Sequence, residues 1–221
     1  MSGTAEHVGG ANAAGFLLVG MVGLLAWSSS IWSSGYAIEH ERHEGTVGAL
    51  FLSPASRAAI VVGYGLGSFV WELPSLLVVG LIALLSGARF DVSDPFAALA
   101  ALGSVYVASL CVGFAFAGLF VLSRRGNLLA NFLQMPIYLL AGFVVPRDRL
   151  PGWLEQLSDA VPASHATDAL RASTLAGASF GQIAGTLVLA AVTSAAFALI
   201  GFVSLRRVES VAKRAGQLEF Y

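Results

Sequence analysis

The sequence predicts an all-α, polytopic integral membrane protein with about five transmembrane helices, a cytoplasmic coupling helix and two short outer half-helices. Three observations predict this class. Apolar residues make up 57% of the 221 residues and charged residues 11%, against about 45–50% and about 25% in soluble domains; so few charges cannot cover a water-exposed surface. The apolar residues fall in long uninterrupted blocks, not in the segments of about ten alternating residues that a closed barrel needs. Each block reaches the roughly 18 to 25 residues that a helix rising about 1.5 Å per residue needs to cross about 30 Å of hydrocarbon.

The blocks occupy residues 14–36, 58–86, 96–122, 128–145 and 182–205, and together they read as a single transmembrane domain over 1–221. Residues 1–12 carry no Lys or Arg. A secretory signal needs a positive region ahead of its apolar core, so the first block reads as a retained helix. Between the first and second blocks, 37–57 holds the densest charge in the chain. Val47, Leu50 and Phe51 recur at helical spacing beyond Glu39, Arg42 and His43, and Pro54 closes the run. This pattern predicts a short amphipathic helix at the inner surface, with a solvated loop as the alternative.

The second block carries Glu72, fourteen residues from either end. A charge at that depth costs about 2.5–3.5 kcal/mol on insertion scales, so the carboxyl is expected to be neutral, paired or facing a wet cavity. Pro74 removes a backbone donor two residues later and predicts a kink. A polar group on a kinked helix suits a transport pathway; a carboxyl satisfied by a neighbouring helix is the alternative. Gly63 and Gly67 form a GxxxG pair, and Gly177, Gly181 and Gly185 a longer series, both compatible with close helix packing. In the third block Cys111, the single cysteine, reads as a small buried hydrophobe. It leaves no disulfide and no thiolate metal site. The short connection 123–127 places Arg124 and Arg125 at the headgroups as snorkelling anchors.

The outer segment 146–181 predicts two half-length amphipathic helices at the interface or dipping in and returning. Pro151 suits the first turn of one, whose face is marked by Trp153, Leu154, Leu157 and Val161 until Pro162. Ser164 is expected to cap the other, which runs through Asp168 and Leu170 to Arg171. Lys and Arg then set orientation. With the N-terminus outside, inner segments hold Arg42, Arg57, Arg124, Arg125, Arg206, Arg207, Lys213 and Arg214, and outer ones hold Arg89, Arg147, Arg149 and Arg171. The bias places the C-terminus in the cytoplasm.

Most enzymatic chemistry is missing from the pattern. The net charge of −1 and the lack of any basic run give no footprint for nucleic acid. His40, Glu41 and His43 approach H-E-x-x-H, but the histidines stand three apart instead of four, and no metal ligand set follows. Ser164 beside His165 suggests an intramembrane serine protease only weakly, because adjacent residues do not normally present hydroxyl to imidazole. The only lysine, Lys213, lacks the glycines of a phosphate-binding P-loop, so residues 1–221 do not hydrolyse ATP by that route.

The connecting segments resemble the ABC-2 type permeases, in particular the daunorubicin-resistance-like branch that exports drugs, antibiotics and glycolipids. That family has a cytoplasmic E-R-x-x-G-T signature, then a leucine and S-P ahead of a span; here Glu41, Arg42, Gly45, Thr46, Leu50, Ser53 and Pro54 match, with Ser56 and Arg57 behind. It also has an apolar span ending in glycine and proline, then L-P-x-W-L, a proline and A-L-R. Gly142, Pro146, Leu150, Pro151, Trp153, Leu154, Pro162, Ala169, Leu170 and Arg171 follow that order. The resemblance covers about 13–207.

By that resemblance, Glu41 to Pro54 is the segment that couples to an ATPase, and Pro146, Leu150, Pro151, Trp153, Pro162 and Arg171 belong to an outer gate. The implied protein is a multi-pass permease of a bacterial plasma membrane that dimerises with an identical or different permease chain in contact with membrane lipid. Its motor is a separate P-loop ATPase subunit that holds ATP and Mg; this chain itself holds no cofactor, no metal and no catalytic residue. Its cargo is an amphipathic drug, antibiotic or lipid-linked compound. The family has six spans, with an amphipathic helix and a first span ahead of the one leading into E-R-x-x-G-T. Here that span is the first, which implies an N-terminal portion upstream of Met1 or a member that lost a helix. Two rivals remain: a proton-coupled secondary transporter using Glu72, and an intramembrane protease using Ser164 or His165.

Overall fold

A computed structural model of the protein describes residues 12–35, 37, 40, 41, 44, 45, 56–122 and 126–215. Seven α-helices of more than one turn follow one another among these residues: α1 (Ala13–Ser30), α2 (Arg57–Leu85), α3 (Pro95–Leu122), α4 (Gly126–Leu140), α5 (Gly152–Asp159), α6 (Pro162–Leu175) and α7 (Phe180–Ala215). Among the described residues four segments are long and apolar enough to cross a membrane: Ala13–Ser34, Ala58–Leu85, Pro95–Ala117 and Phe180–Arg207. They coincide with four of the five expected blocks to within a few residues.

Helix termini follow local chemistry. Ser56 caps α2 by accepting from the Ala59 N–H at 3.2 Å. At the other end Gly87, at φ +82, closes a Schellman turn in which Ala88 N–H reaches Ala83 O and Gly87 N–H reaches Leu84 O. Between them α2 runs unbroken through Pro74. The start of α7 is a capping box: the Gln182 side chain accepts from the Ser179 N–H at 2.8 Å. The first block departs from a plain helix at its C-terminal end, where Ile31–Gly35 widens into a π-turn.

The block expected over 128–145 is helical only as far as Leu140. It forms α4, only 15 residues long, or about 22 Å at 1.5 Å per residue. Gly142, at φ +71, stops it with a second Schellman turn: Phe143 N–H bonds Tyr138 O and Gly142 N–H bonds Leu139 O. The apolar residues beyond Leu140 belong to the turn that follows, not to the helix.

The core lies where α1, α3, α6 and α7 meet. Ala97, Ala101, Val105 and Ala108 form a small-residue stripe on α3, and Val19, Val22 and Ala26 of α1, Ala166, Ala169 and Leu170 of α6, and Ile183 and Ala190 of α7 pack with it. Small side chains let the backbones approach closely, the usual source of cohesion where lipid competes for apolar contact. The second expected half-helix, α6, packs into this core. Pro162 to Thr167, Ala169, Leu170 and Ser173 are buried. Its N-cap is Val161, with Pro162 in the first turn, so Ser164 is not the cap expected. A helix this polar can be buried because its hydroxyls bond its own backbone: Thr167 Oγ1 donates to Ala163 O at 2.7 Å and Thr174 Oγ1 to Leu170 O at 2.6 Å.

The glycine series also read differently in space. Among the described residues a Cβ added at Gly63, Gly67, Gly181 or Gly185 meets nothing within 4 Å, whereas one at Gly177 would stand 2.7 Å from Ser93 Oγ. Close approach occurs at Gly113, where a Cβ would stand 2.6 Å from Ser30 O, and at Gly201, where it would stand 2.7 Å from Phe114 O.

Candidate functional site

Three polar stations lie along the apolar bundle. The first joins the helical residues His40 and Glu41 to the N-terminal part of α2. Tyr64 donates its hydroxyl to the Glu41 carboxylate, and the His40 ring meets the Tyr64 ring edge-on at 6.3 Å between centroids. Glu44 N–H bonds His40 O at 3.0 Å, and Gly45 follows at φ +74, a left-handed conformation that favours glycine. Of the expected coupling residues, Glu41 and Gly45 are therefore fixed by a side-chain bond and by backbone conformation. Arg42, Thr46, Leu50, Ser53 and Pro54 lie outside the described residues.

The middle station surrounds Glu72. Ser29 and Ser33 of the first span donate to Ser68 Oγ at 2.8 and 2.9 Å, and Ser68 in turn donates to Gly65 O at 2.7 Å. The Ser29 hydroxyl also bonds the Glu72 carboxyl. Glu72 Oε2 is nonetheless buried without a partner, as is the Tyr106 hydroxyl of α3 nearby. Tyr106 is held by its ring, which stands edge-on to Phe69 at 4.6 Å. A groove of about 640 Å³ opens beside this cluster, lined by Ser33, Ile60, Gly63, Tyr64, Gly67, Ser68 and Trp71.

The third station lies beneath α5 and α6. Arg147, just past Pro146, donates Nη1 to Asp168 Oδ2 at 2.7 Å and Nη2 to Asp159 Oδ1, tying the turn after α4 to α5 and α6. Arg171 points inward from α6. It donates to Gly142 O at 2.6 Å and stacks over the Phe16 ring of α1 at 4.1 Å. Burial pushes its guanidinium down to about 10, opposed by Asp168 and Asp148, so it remains a cation at neutral pH. Leu150 and Pro151 follow as extended residues ahead of α5; Trp153 on α5 is exposed, whereas Pro162 is buried at the start of α6. Asp94 ties the outer ends of α3 and α7, accepting Phe96 and Ala97 N–H with Oδ1 and Phe180 N–H with Oδ2 at 3.0 Å.

The structure thus separates the described site residues into three groups instead of one centre. It also adds members that sequence reasoning missed. Arg147, Asp159 and Asp168 had no spacing signal. The serines of Trp27–Ser34 were a signal, since hydroxyls cluster there in an otherwise apolar block.

Ser164 donates to Ser158 O and Val161 O, both at 2.7 Å, and His165 Nε2 lies 2.9 Å from Asp159 O. These neighbours serve the backbone and do not form a nucleophile and base. Among the described residues no group of three or more His, Cys, Asp or Glu could hold a metal ion.

Comparison with known proteins places this geometry in context. The family profile described as "ABC-2 type transporter" matches residues 5–175. A protein of Escherichia coli K12 named "Probable multidrug ABC transporter permease YbhR" is 27% identical over 201 residues, covering 83% of this chain and 51% of that protein. "ABC transporter G family member 20" of Dictyostelium discoideum is 29% identical over 171 residues, 73% of this chain and 22% of its own length. The chain spans about half the length, or less, of these curated relatives.

Proposed function

The chain belongs to the ABC-2 type transporter family, and from that premise we propose that it is the membrane-spanning permease subunit of an ATP-driven exporter. ATP and Mg are held by a separate P-loop ATPase, a second permease chain completes the pathway, and the cargo is an amphipathic compound. The C-terminus lies in the cytoplasm, on the side of the Glu41 segment. The observation that carries the proposal is the bond from Tyr64 of the second span to Glu41 of the E-R-x-x-G-T segment.

Physically, this bond is a lever. A partner that moves the loop around Glu41 and Gly45 pulls on the base of α2, and α2 carries Glu72 two further turns up the same face. Glu41 fixes where the loop meets the span, and Gly45 fixes its turn. A side chain at Gly45 forces a left-handed residue to carry a Cβ, at about 1–2 kcal/mol, and moves the docking surface without touching the bundle.

The test is co-purification and ATP-dependent transport with a P-loop ATPase partner, sought first in the neighbouring reading frames. Gly45→Val and Glu41→Ala are expected to lower ATPase association and transport at least about tenfold, while thermal stability falls by no more than the about 1–2 kcal/mol of a strained left-handed residue. Wild-type association and transport in both variants would remove the coupling assignment. Glu72, a carboxyl in a span, favours a second reading, a proton-coupled transporter. Uptake driven by a pH gradient in vesicles without ATP supports that reading against the first.

A further inference from the structure

The last span runs well past the bundle it belongs to. α7 is 36 residues long, about 54 Å at 1.5 Å per residue, against about 30 Å of hydrocarbon. Among the described residues the last buried one on α7 is Leu205. It packs with Ala37 and Val61 at the end of the bundle where Tyr64 meets Glu41. The helix continues to Ala215, so a stem of about 15 Å stands beyond the packed end.

An α-helix turns about 100° per residue, so register fixes which side of α7 each position occupies. Ala190, Ser194, Gly201 and Leu205 are buried along one side. Val188, Val192, Leu199 and Val203 mark the opposite side and are between 41% and 62% exposed; this is the stripe that faces hydrocarbon. Carried one turn further, its register holds Arg206 and Arg207, both exposed, and two turns beyond them Lys213 and Arg214. The Arg206 guanidinium lies over the Phe202 ring at 4.2 Å, directly below the apolar part of the stripe. Val208 and Ala212 instead continue the packed side, and Glu209, the stem's only acidic residue, falls nearer that side. The lipid-facing stripe therefore changes from apolar to basic within one turn. A merely solvated charge run has no reason to keep that register, and a protein seated beneath the bundle would meet the apolar side of the stem first.

We propose that this basic stripe is a docking site for anionic phospholipid headgroups in the leaflet at the Glu41 end of the bundle. With the hydrocarbon edge at Val203, Arg206 and Arg207 stand about 5 Å below it, inside a headgroup layer about 5–7 Å thick. A guanidinium at that depth can grip a phosphate with two parallel bonds. Lys213 and Arg214 stand about 10 Å further out, about one Debye length, and attract the charged leaflet through solution without touching it. The inference goes beyond the permease reading and needs only the chain and a bilayer.

The test is quenching of a bimane label at Val203→Cys, in a Cys111→Ala background of the full chain. The chain is reconstituted in phosphatidylcholine vesicles that carry either doxyl-labelled phosphatidylglycerol or doxyl-labelled phosphatidylcholine. At low ionic strength the anionic lipid is expected to quench at least about fivefold more strongly per mole. The same label at Val188→Cys, on the same stripe but far from the basic residues, is expected to show no preference. Arg206→Gln with Arg207→Gln, at unchanged gel-filtration profile and melting temperature, is expected to abolish the preference, and Arg206→Lys with Arg207→Lys to keep most of it. Lys213→Gln with Arg214→Gln is expected to lower it only about twofold, and only at low salt. Equal quenching by the two lipids at residue 203, the same preference at 188 as at 203, or a preference that survives Arg206→Gln with Arg207→Gln would each overturn the site. If that surviving preference came with weakened binding of an ATPase partner, the stripe would be a protein-docking face instead. Neither ATP nor an ATPase enters the quenching, so a failure of ATP-driven transport would remove the permease reading and leave the lipid site standing.

Discussion

Replacing Gly20 by alanine places a methyl group where α1 passes the turn that ends α4. The added carbon would overlap the Phe143 carbonyl oxygen and stand 3.2 Å from its carbonyl carbon. Three residues on, at Gly23, the obstacle is the Phe143 ring, which can rotate. At Gly20 the obstacle is backbone, and that backbone is pinned by the Schellman bond from Phe143 N–H to Tyr138 O and by the Arg171 contact with Gly142 O. The helix or the turn must therefore shift. Overpacking of this kind costs about 1–3 kcal/mol, and a rigid obstacle argues for the upper half of that range. Alanine returns up to about 1 kcal/mol in helix propensity, leaving a net loss of about 1–2 kcal/mol. For a chain of this size that is a fall of about 2–8 °C in melting temperature. Gly63→Ala is the matched control, because nothing lies within 4 Å of its added carbon. Thermal unfolding of the monomeric, detergent-solubilised chain is expected to show Gly20→Ala lowered and Gly63→Ala unchanged or slightly raised. Equal melting temperatures for the two would refute the packing argument.

The outer latch should behave as a coupled pair: Arg147→Met and Asp168→Asn are each expected to cost about 1–2 kcal/mol, with a coupling of about 1 kcal/mol in the double-mutant cycle. The Asp159 arm contributes little because its side chain is 61% exposed, against 37% for Asp168; strictly additive single effects would contradict the latch. Asp94 offers a pH signature. Its carboxyl is held below the ordinary range, first by the Phe180 N–H and then by Ala97 and Phe96, with desolvation opposing. A depressed folded-state value stabilises above the ordinary carboxyl range and is lost as pH falls through the lowered value. Asp94→Asn should therefore melt below wild type at neutral pH and converge on it in acid, and a gap that widens in acid would reverse the sign. Ser164→Ala is expected to lower melting temperature by removing two carbonyl contacts, and to leave transport intact; loss of a proteolytic activity in that variant would revive the protease reading.

Four spans were legible because length and hydropathy alone determine them. The fourth block was misread for a physical reason. Hydropathy does not see backbone handedness, so the apolar residues after Leu140 looked helical although Gly142 turns the chain there. The fate of α6 was hidden differently: its hydroxyls look solvent-seeking in sequence, but each finds a carbonyl one turn back. The GxxxG pair at Gly63 and Gly67 promised close packing, while the glycines that meet backbone, Gly20, Gly113 and Gly201, belong to no such pair. Spacing marks where a helix could approach, and only the fold decides which helix does. Of the polar stations, Glu41, Gly45, Glu72, Pro146 and Arg171 stood out in sequence. Tyr106 did not, since an aromatic residue in an apolar block carries no signal until its hydroxyl is found unpaired.

The most direct test of the account is transport in liposomes that contain this chain and its proposed P-loop ATPase partner. The account predicts accumulation of an amphipathic probe that requires ATP and both proteins, and that is lost with Gly45→Val. Transport driven by a pH gradient, with neither ATP nor ATPase, would contradict it.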